Sequence, residues 1–264
     1  SCGNLVGVND ERCFTCGRWN PGLWGFAPLL RRLGADLGFT SMVVVGCAVL
    51  YAAALLASGR SLTLVAGPMS FLMPSNLAVV LLGASGAYPV FGLGWWWTLV
   101  SAGWLHGSAL HILFNMMWIR QLGPLTGELY GPSRVVIIYT VASVLGFLVS
   151  TLAGSWLTLG ASAGIMGLLG AMVRYGQRTG SNRLGSQAWA WALTLFVFGF
   201  FMRGVDNWAH GGGFVGGYLA GLLLDPVQRE RQGHLIAALA CLALTALSIA
   251  ASVVSGLKLL SQGG

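Results

Sequence analysis

Three polar groups set in apolar stretches have the residue types and spacing to do chemistry. Ser162 stands alone in LGASAGIMGLLG (159–170), His210 follows Asp206 by one turn in DNWAHGGGFVGGYLAG (206–221), and His111 and Asn115 lie in LHGSALHILFNMMW (105–118). A serine hydroxyl is a weak nucleophile until a base takes its proton. An imidazole titrates in the range where it can do that. Acyl transfer also needs hydrogen-bond donors aimed at a developing oxyanion. His111 and Asn115 are four apart, so they share one helix face, and both are costly to bury unpaired. Each group also has a plainer reading. Ser162 sits on a face of small residues suited to close helix packing. His210 near the mouth of its segment could be hydrogen-bonded to a neighbour or reach to the interface. His111 and Asn115 could make a polar helix contact. A metal site using His106 and His111 is the poorer alternative, because they are five apart with no carboxylate close by.

The cysteines form a separate pattern. Cys2, Cys13 and Cys16 read C-x10-C-x2-C, and CFTCGRWNPG places a glycine after the second cysteine of the pair, as a metal-binding knuckle turn would. A zinc ribbon uses two C-x2-C knuckles to turn four thiolates onto one tetrahedral ion. The partner of Cys2 would then stand three residues before it. The alternative is free thiols on a flexible tail. Cys47 and Cys241 fall in apolar stretches and read as ordinary buried small residues.

The segments that must position these groups are unusually apolar. Of 264 residues, 56% are hydrophobic and only 8% charged, against roughly 25% charged in an average soluble domain. The expected fold class is an all-α polytopic membrane protein. Apolar stretches of near-spanning length cover 39–58, 100–119, 134–153, 161–176, 188–203, 208–224 and 235–255. The stretch 61–98 is broken by Pro68, Pro74, Pro89 and several glycines, so it is expected to be a loop in or on the membrane surface, ending at Trp95, Trp96 and Trp97. No secretory signal is expected in residues 1–38, which are too polar. Threading seven spans with the N-terminus in the cytoplasm gives that side Arg12, Arg18, Arg31, Arg32, Arg120, Arg134, Arg174, Arg178, Arg183, Arg229 and Arg231, and leaves Arg60, Arg203 and Lys258 outside. A basic inner rim against anionic lipid accounts for the net charge of +7, so no nucleic-acid partner is expected.

This threading was set by charge alone, yet it brings the polar groups together. The spans holding Ser162, His210 and His111 with Asn115 all begin on the outer side, and each group lies within about two turns of that face. A shared depth is what one site requires. Glycines at 212, 213, 216, 217 and 221 would let the Ser162 and His210 helices approach closely. Ser162 is then the nucleophile and His210 the base. His111, Asn115 and the Ser162 N–H, close to a helix start, are the donors. Asp206 reads as the cap of the His210 helix rather than a third catalytic member, so a Ser–His dyad is expected.

These residues resemble the rhomboid intramembrane serine proteases. GASAGIMGLLGA (160–171) is similar to the family's GxSG nucleophile motif, HGSALHILFN (106–115) to its H-x4-H-x3-N segment, and DNWAHGGGFVGG (206–217) to its histidine helix. FLMPSNLAVVLLGA (71–84) and RQLGP (120–124) fit its first long loop and the end of its second helix. The resemblance implies a six-helix core over 39–225, with an extra C-terminal transmembrane helix in 226–264 (a six-plus-one arrangement) and a cytosolic N-terminal segment in 1–38. It implies catalysis by Ser162 and His210 with His111 and Asn115 as oxyanion-site residues, single-pass transmembrane proteins as substrates, the lipid bilayer as surroundings, and no metal or cofactor in the chemistry. A bacterial inner membrane is the simplest expected location. Three positions depart from the pattern: Ala163 follows the serine, Thr98 follows Trp97 where the family often has arginine, and Gly127 stands where the family has glutamate, with Glu128 next to it. Two other classes are the alternatives to this reading. A catalytically dead relative that escorts membrane proteins would lack part of the dyad, and both members are present. A transporter would carry paired charges or internal repeats near the midplane, and neither is evident.

Overall fold

The computed structural model describes residues 2, 4, 6, 10–19, 33–64, 70–202 and 204–262. The expectations for Arg31, Arg32, Pro68 and Arg203 lie outside the described residues. Among those described, the regular structure is helical: α1 Phe39–Ser58, α2 Asn76–Leu81, α3 Thr98–Ser101, α4 Ala109–Tyr130, α5 Pro132–Leu152, α6 Ser162–Thr179, α7 Asn182–Phe201, α8 Asn207–Leu223 and α9 Gln232–Gln262. Pairing of extended chain is confined to isolated bridges.

Seven long helices among the described residues overlap the seven apolar stretches, but one boundary moves substantially. The second was expected over 100–119 and runs instead from Ala109 to Tyr130. The physical reason is a start signal inside the apolar run. Residues 98–104 turn tightly as α3 and a following 3-10 turn. Ser108 then caps the new helix by accepting from His111 N–H. That helix continues through Pro124 and stops at Gly131, whose φ is 95°. Helix α7 begins at Asn182 rather than 188, and α9 is longer at both ends than 235–255. The described part of the 61–98 stretch holds no long helix: it is a loop interrupted by the six-residue α2 and a helical turn at Tyr88–Gly92.

Four helices are long and apolar enough to cross a membrane: α1, α5, α7 and α9, the first counted together with the turn that follows it. Helices α4, α6 and α8, which carry the polar groups of interest, are not among them. Their composition follows from their position. Helix α6 is packed by α4, α5, α7 and α8, and its residues from Ala163 to Met172 are all buried. Glycine and alanine replace bulk there because neighbouring backbones occupy the space. A β-carbon on Gly213 would collide with the Ala163 carbonyl, and one on Gly217 with the backbone of Gly167. The α6–α8 pair is therefore a backbone-to-backbone contact.

The loop before α4 is tied to the loop before α6. Ser85 and Thr158 exchange both backbone hydrogen bonds, Ala87 N–H donates to Ser155 C=O, and Gly160 N–H donates to Ala102 C=O at 3.0 Å. Helix α9 holds the same region from the other side. Trp97 Nε1–H donates to Ser252 Oγ at 3.1 Å, and Ser248 Oγ donates to the Trp97 carbonyl. Cys47 is fully buried against the core, while Cys241 is half-buried.

Candidate active site

Each polar side chain singled out in the sequence lies near the start of its helix. Ser162 is the first residue of α6, His111 and Asn115 occupy the first two turns of α4, and His210 is in the first turn of α8. The reason in each case is a local helix-start signal. Ser108 caps α4, and Asp206 caps α8 by accepting from Ala209 N–H. Helix α6 starts where Gly160, at φ 126°, turns the chain.

All four side chains line a single cavity of about 250 Å³. Its walls come from α4 (Phe114, Met117, Trp118), α7 (Thr194, Leu195, Phe198), α6 (Ile165, Met166) and the α7–α8 connection (Gly204, Val205). The close α6–α8 packing brings the two glycine faces together just below Ser162 and His210. Gly213 lies one turn after His210 and abuts Ala163, the neighbour of Ser162.

The hydrogen bonds fix which donors face the cavity. His111 Nδ1 accepts from Gly107 N–H at 3.3 Å, so in the neutral ring the proton sits on Nε2. Nε2 points at Gly160: a β-carbon there would stand 2.7 Å from it, and the same β-carbon would be 3.8 Å from Ser162 Oγ. Asn115 Nδ2 donates to the His111 carbonyl at 2.8 Å. Its second N–H has no acceptor among the described residues. The first intrahelical bond of α6 runs from Ile165 N–H to Ala161 C=O, so the N–H groups of Ser162, Ala163 and Gly164 have no acceptor within the helix. The arrangement is a hydroxyl at a helix N-terminus with several donors around it.

His210 is 7% exposed, and its Nδ1 has no hydrogen-bond partner among the described residues. Asp206 does not supply one. One of its carboxylate oxygens caps α8, and the other accepts from Ser150 Oγ. His106 is fully buried, stacks edge-on against His111 with ring centroids 5.1 Å apart, and leaves both nitrogens unpartnered among the described residues. It is not among the residues lining the cavity.

Gly160 opens the GxSG-like segment, and the structure gives it a part beyond close packing. Its positive φ and its contact with the His111 ring make it the spacer between the serine and its neighbouring donor. The readable signal was a glycine two positions before an isolated serine at a helix start. Ser150, which engages the second oxygen of Asp206, carried no signal at all.

A family model described as the Rhomboid domain matches residues 93–227, half of the chain, and this range contains all four cavity side chains. The chain belongs to the rhomboid family. Similar curated rhomboid proteins include RHOMBOID-like protein 4 of Arabidopsis thaliana, 31% identical over 57% of this chain and 40% of that protein. Rhomboid protease GluP of Bacillus subtilis is 31% identical over 50% of this chain and 26% of its own length. Rhomboid-like protease 3 of Toxoplasma gondii is 30% identical over 54% and 57%. The chain thus spans less than two thirds of the length of these relatives. Family membership together with the long apolar helices makes this rhomboid chain an integral multi-pass membrane protein. Relatives spread over a plant, a bacterium and Toxoplasma gondii lend no support to a bacterial inner membrane in particular. Helices α1 and α9 lie outside the matched range.

The N-terminal cysteines lie apart from this site. The thiols of Cys2, Cys13 and Cys16 are all free and all within 4.8 Å of one another.

Proposed function

We propose that this rhomboid chain is an intramembrane serine endopeptidase that cuts single-pass transmembrane proteins in or near the membrane. The observation that carries the reading is the common cavity at Ser162, His210, His111 and Asn115. In the proposed reaction His210 takes the Ser162 Oγ proton as Oγ attacks the scissile carbonyl. The resulting oxyanion is held by His111 Nε2–H, the second Asn115 N–H and the Ser162 backbone N–H. His210 then gives its proton to the leaving amine, an acyl-enzyme remains on Ser162, and water completes hydrolysis through the same base. The dyad chemistry calls for no metal or cofactor. Neutral His210 must carry its proton on Nδ1, the buried unpartnered nitrogen, so that Nε2 accepts from serine.

The proposed arrangement places α1 and α4–α8 as the six core spans, with α9 as a seventh and the N-terminus in the cytoplasm. The outer side then receives the starts of α4, α6 and α8, so water reaches the cavity from that face. The apolar walls from α4 and α7 suit a transmembrane segment that must unwind to present a carbonyl.

The direct test is cleavage of a single-pass substrate by protein reconstituted in liposomes. Ser162→Ala and His210→Ala should each abolish cleavage, and a fluorophosphonate should label Ser162 in the wild type but not in His210→Ala. Labelling of a different serine, or cleavage by Ser162→Ala, would overturn the assignment.

A further inference from the structure

The N-terminal tail gathers three free cysteine sulfurs that do not line the cavity at Ser162. We propose that Cys2, Cys13 and Cys16 bind one zinc ion and that the ion organises the segment before α1.

Three observations converge on this site. The first is the turn itself. Gly17 N–H donates to Cys13 C=O at 2.9 Å, and Cys13 N–H donates to Arg18 C=O at 3.0 Å. Gly17 adopts φ 67°, the left-handed conformation this reversal needs.

The second is distance. Four thiolates at ~2.3 Å from one tetrahedral zinc stand about 3.8 Å from one another. Cys2 Sγ and Cys13 Sγ are 3.6 Å apart, and all three sulfurs lie within 4.8 Å of one another. A disulfide would instead bring one pair to about 2.05 Å and leave the third aside.

The third is that the loop is braced where a metal site needs it. Arg12 and Trp19 form an antiparallel bridge, with the Arg12 guanidinium 4.2 Å from the Trp19 ring centroid. Asn4 Nδ2 donates to Thr15 Oγ1 at 2.7 Å, which ties the strand of Cys2 to the knuckle. Cys13 is 4% exposed, the buried residue among those described in 2–19. Soft sulfur ligands suit zinc, a borderline-soft ion, over the hard ions calcium and magnesium. The fourth position is open to water, or to a cysteine three residues before Cys2.

The test uses the full chain purified in detergent under reducing conditions. Elemental analysis should find zinc bound in a ratio of about one per chain. Exchange for Co²⁺ should give the intense visible bands of a tetrahedral site together with a thiolate-to-cobalt charge-transfer band. Cys13→Ser and Cys16→Ser should each lose both signals while keeping the size-exclusion profile of the wild type. Bound Zn²⁺ should slow alkylation of Cys2, Cys13 and Cys16 but not of Cys241. Protein with no bound zinc, or zinc that persists in the Cys2→Ser, Cys13→Ser, Cys16→Ser triple variant, would overturn the proposal. A Cys13–Cys16 disulfide recovered from metal-replete protein would do the same. None of these readouts depends on proteolysis, so the cradle and the cavity stand or fall separately.

Discussion

Gly160 faces the ring of His111 so closely that a β-carbon on it would lie 2.7 Å from both Nε2 and Cε1. The same glycine holds φ 126° and donates its N–H to Ala102 C=O. It therefore joins three things: the loop before α4, the donor ring on α4 and the serine at the start of α6. Gly160→Ala should push His111 away from the serine and strain the turn. The expected result is a fall in kcat of about 10²-fold, comparable to loss of one oxyanion donor, with KM little changed. A Gly160→Ala protein that turns over substrate at the wild-type rate would show that His111 does not act at this distance.

Asn115 offers a cleaner separation of roles. One of its amide hydrogens is committed to the His111 carbonyl and the other has no acceptor among the described residues. Asn115→Ala should reduce kcat by ~10²–10³-fold through the lost donor. Asn115→Asp places an acceptor where the oxyanion would form, so it should be at least as damaging. Steady-state kinetics on a reconstituted substrate would read both. If the two variants differ from wild type only in KM, Asn115 binds substrate and does not stabilise charge.

How much of this was readable in the sequence depends on what kind of signal each feature leaves. Ser162, His210, His111 and Asn115 were legible because a polar side chain in an apolar run carries a desolvation cost that asks for an explanation. The close α6–α8 contact was legible too, since glycines spaced three and four apart leave room only for another backbone. The start of α4 is misplaced by hydropathy because residues 98–104 are small or apolar apart from the hydroxyls of Thr98 and Ser101, and such a turn scores like the helix it precedes. The Ser108 cap was the available cue. Beside Thr98, where the family often has arginine, Trp97 is anchored by Ser248 and Ser252 of α9, about 150 residues further on. No local pattern could have paired them.

That long-range pair makes a prediction of its own. Trp97 lies one residue before α3, and α3 leads directly to Ala102, whose carbonyl accepts from Gly160. Trp97 is half-buried, and removing the acceptor of its indole N–H costs about 1 kcal/mol. Ser252→Val should therefore loosen the loop and slow fluorophosphonate labelling of Ser162 several-fold. Ser252→Thr keeps the hydroxyl and should restore most of the rate. Backbone hydrogen exchange at Gly160 should rise in the valine variant and return toward wild type in the threonine one. Equal labelling rates in all three proteins would mean that α9 packs beside the loop without positioning it.

The opposite end of α9 is held by a different device. Arg134 is 2% exposed at the start of α5 and donates to the carbonyls of Tyr130, Asp225 and Arg229, and through Nε to His234 Nδ1. Glu230, in the linker between α8 and α9, accepts from the backbone N–H groups of Ser133 and Arg134 at 2.8 and 3.0 Å. It thus caps α5 from another part of the chain, satisfying N–H groups that no residue of the helix itself can reach. Glu230→Ala orphans both N–H groups and should cost ~1–3 kcal/mol. Glu230→Gln keeps an acceptor oxygen but loses the charge, so it should cost less. Arg134→Met leaves carbonyls without donors and should be the most damaging of the three. The expected order of thermal midpoints in detergent is wild type, Glu230→Gln, Glu230→Ala and then Arg134→Met. Limited proteolysis of the 224–231 linker should accelerate in the reverse order. A Glu230→Ala protein as protease-resistant as wild type would show that the linker is held by packing of α9 alone.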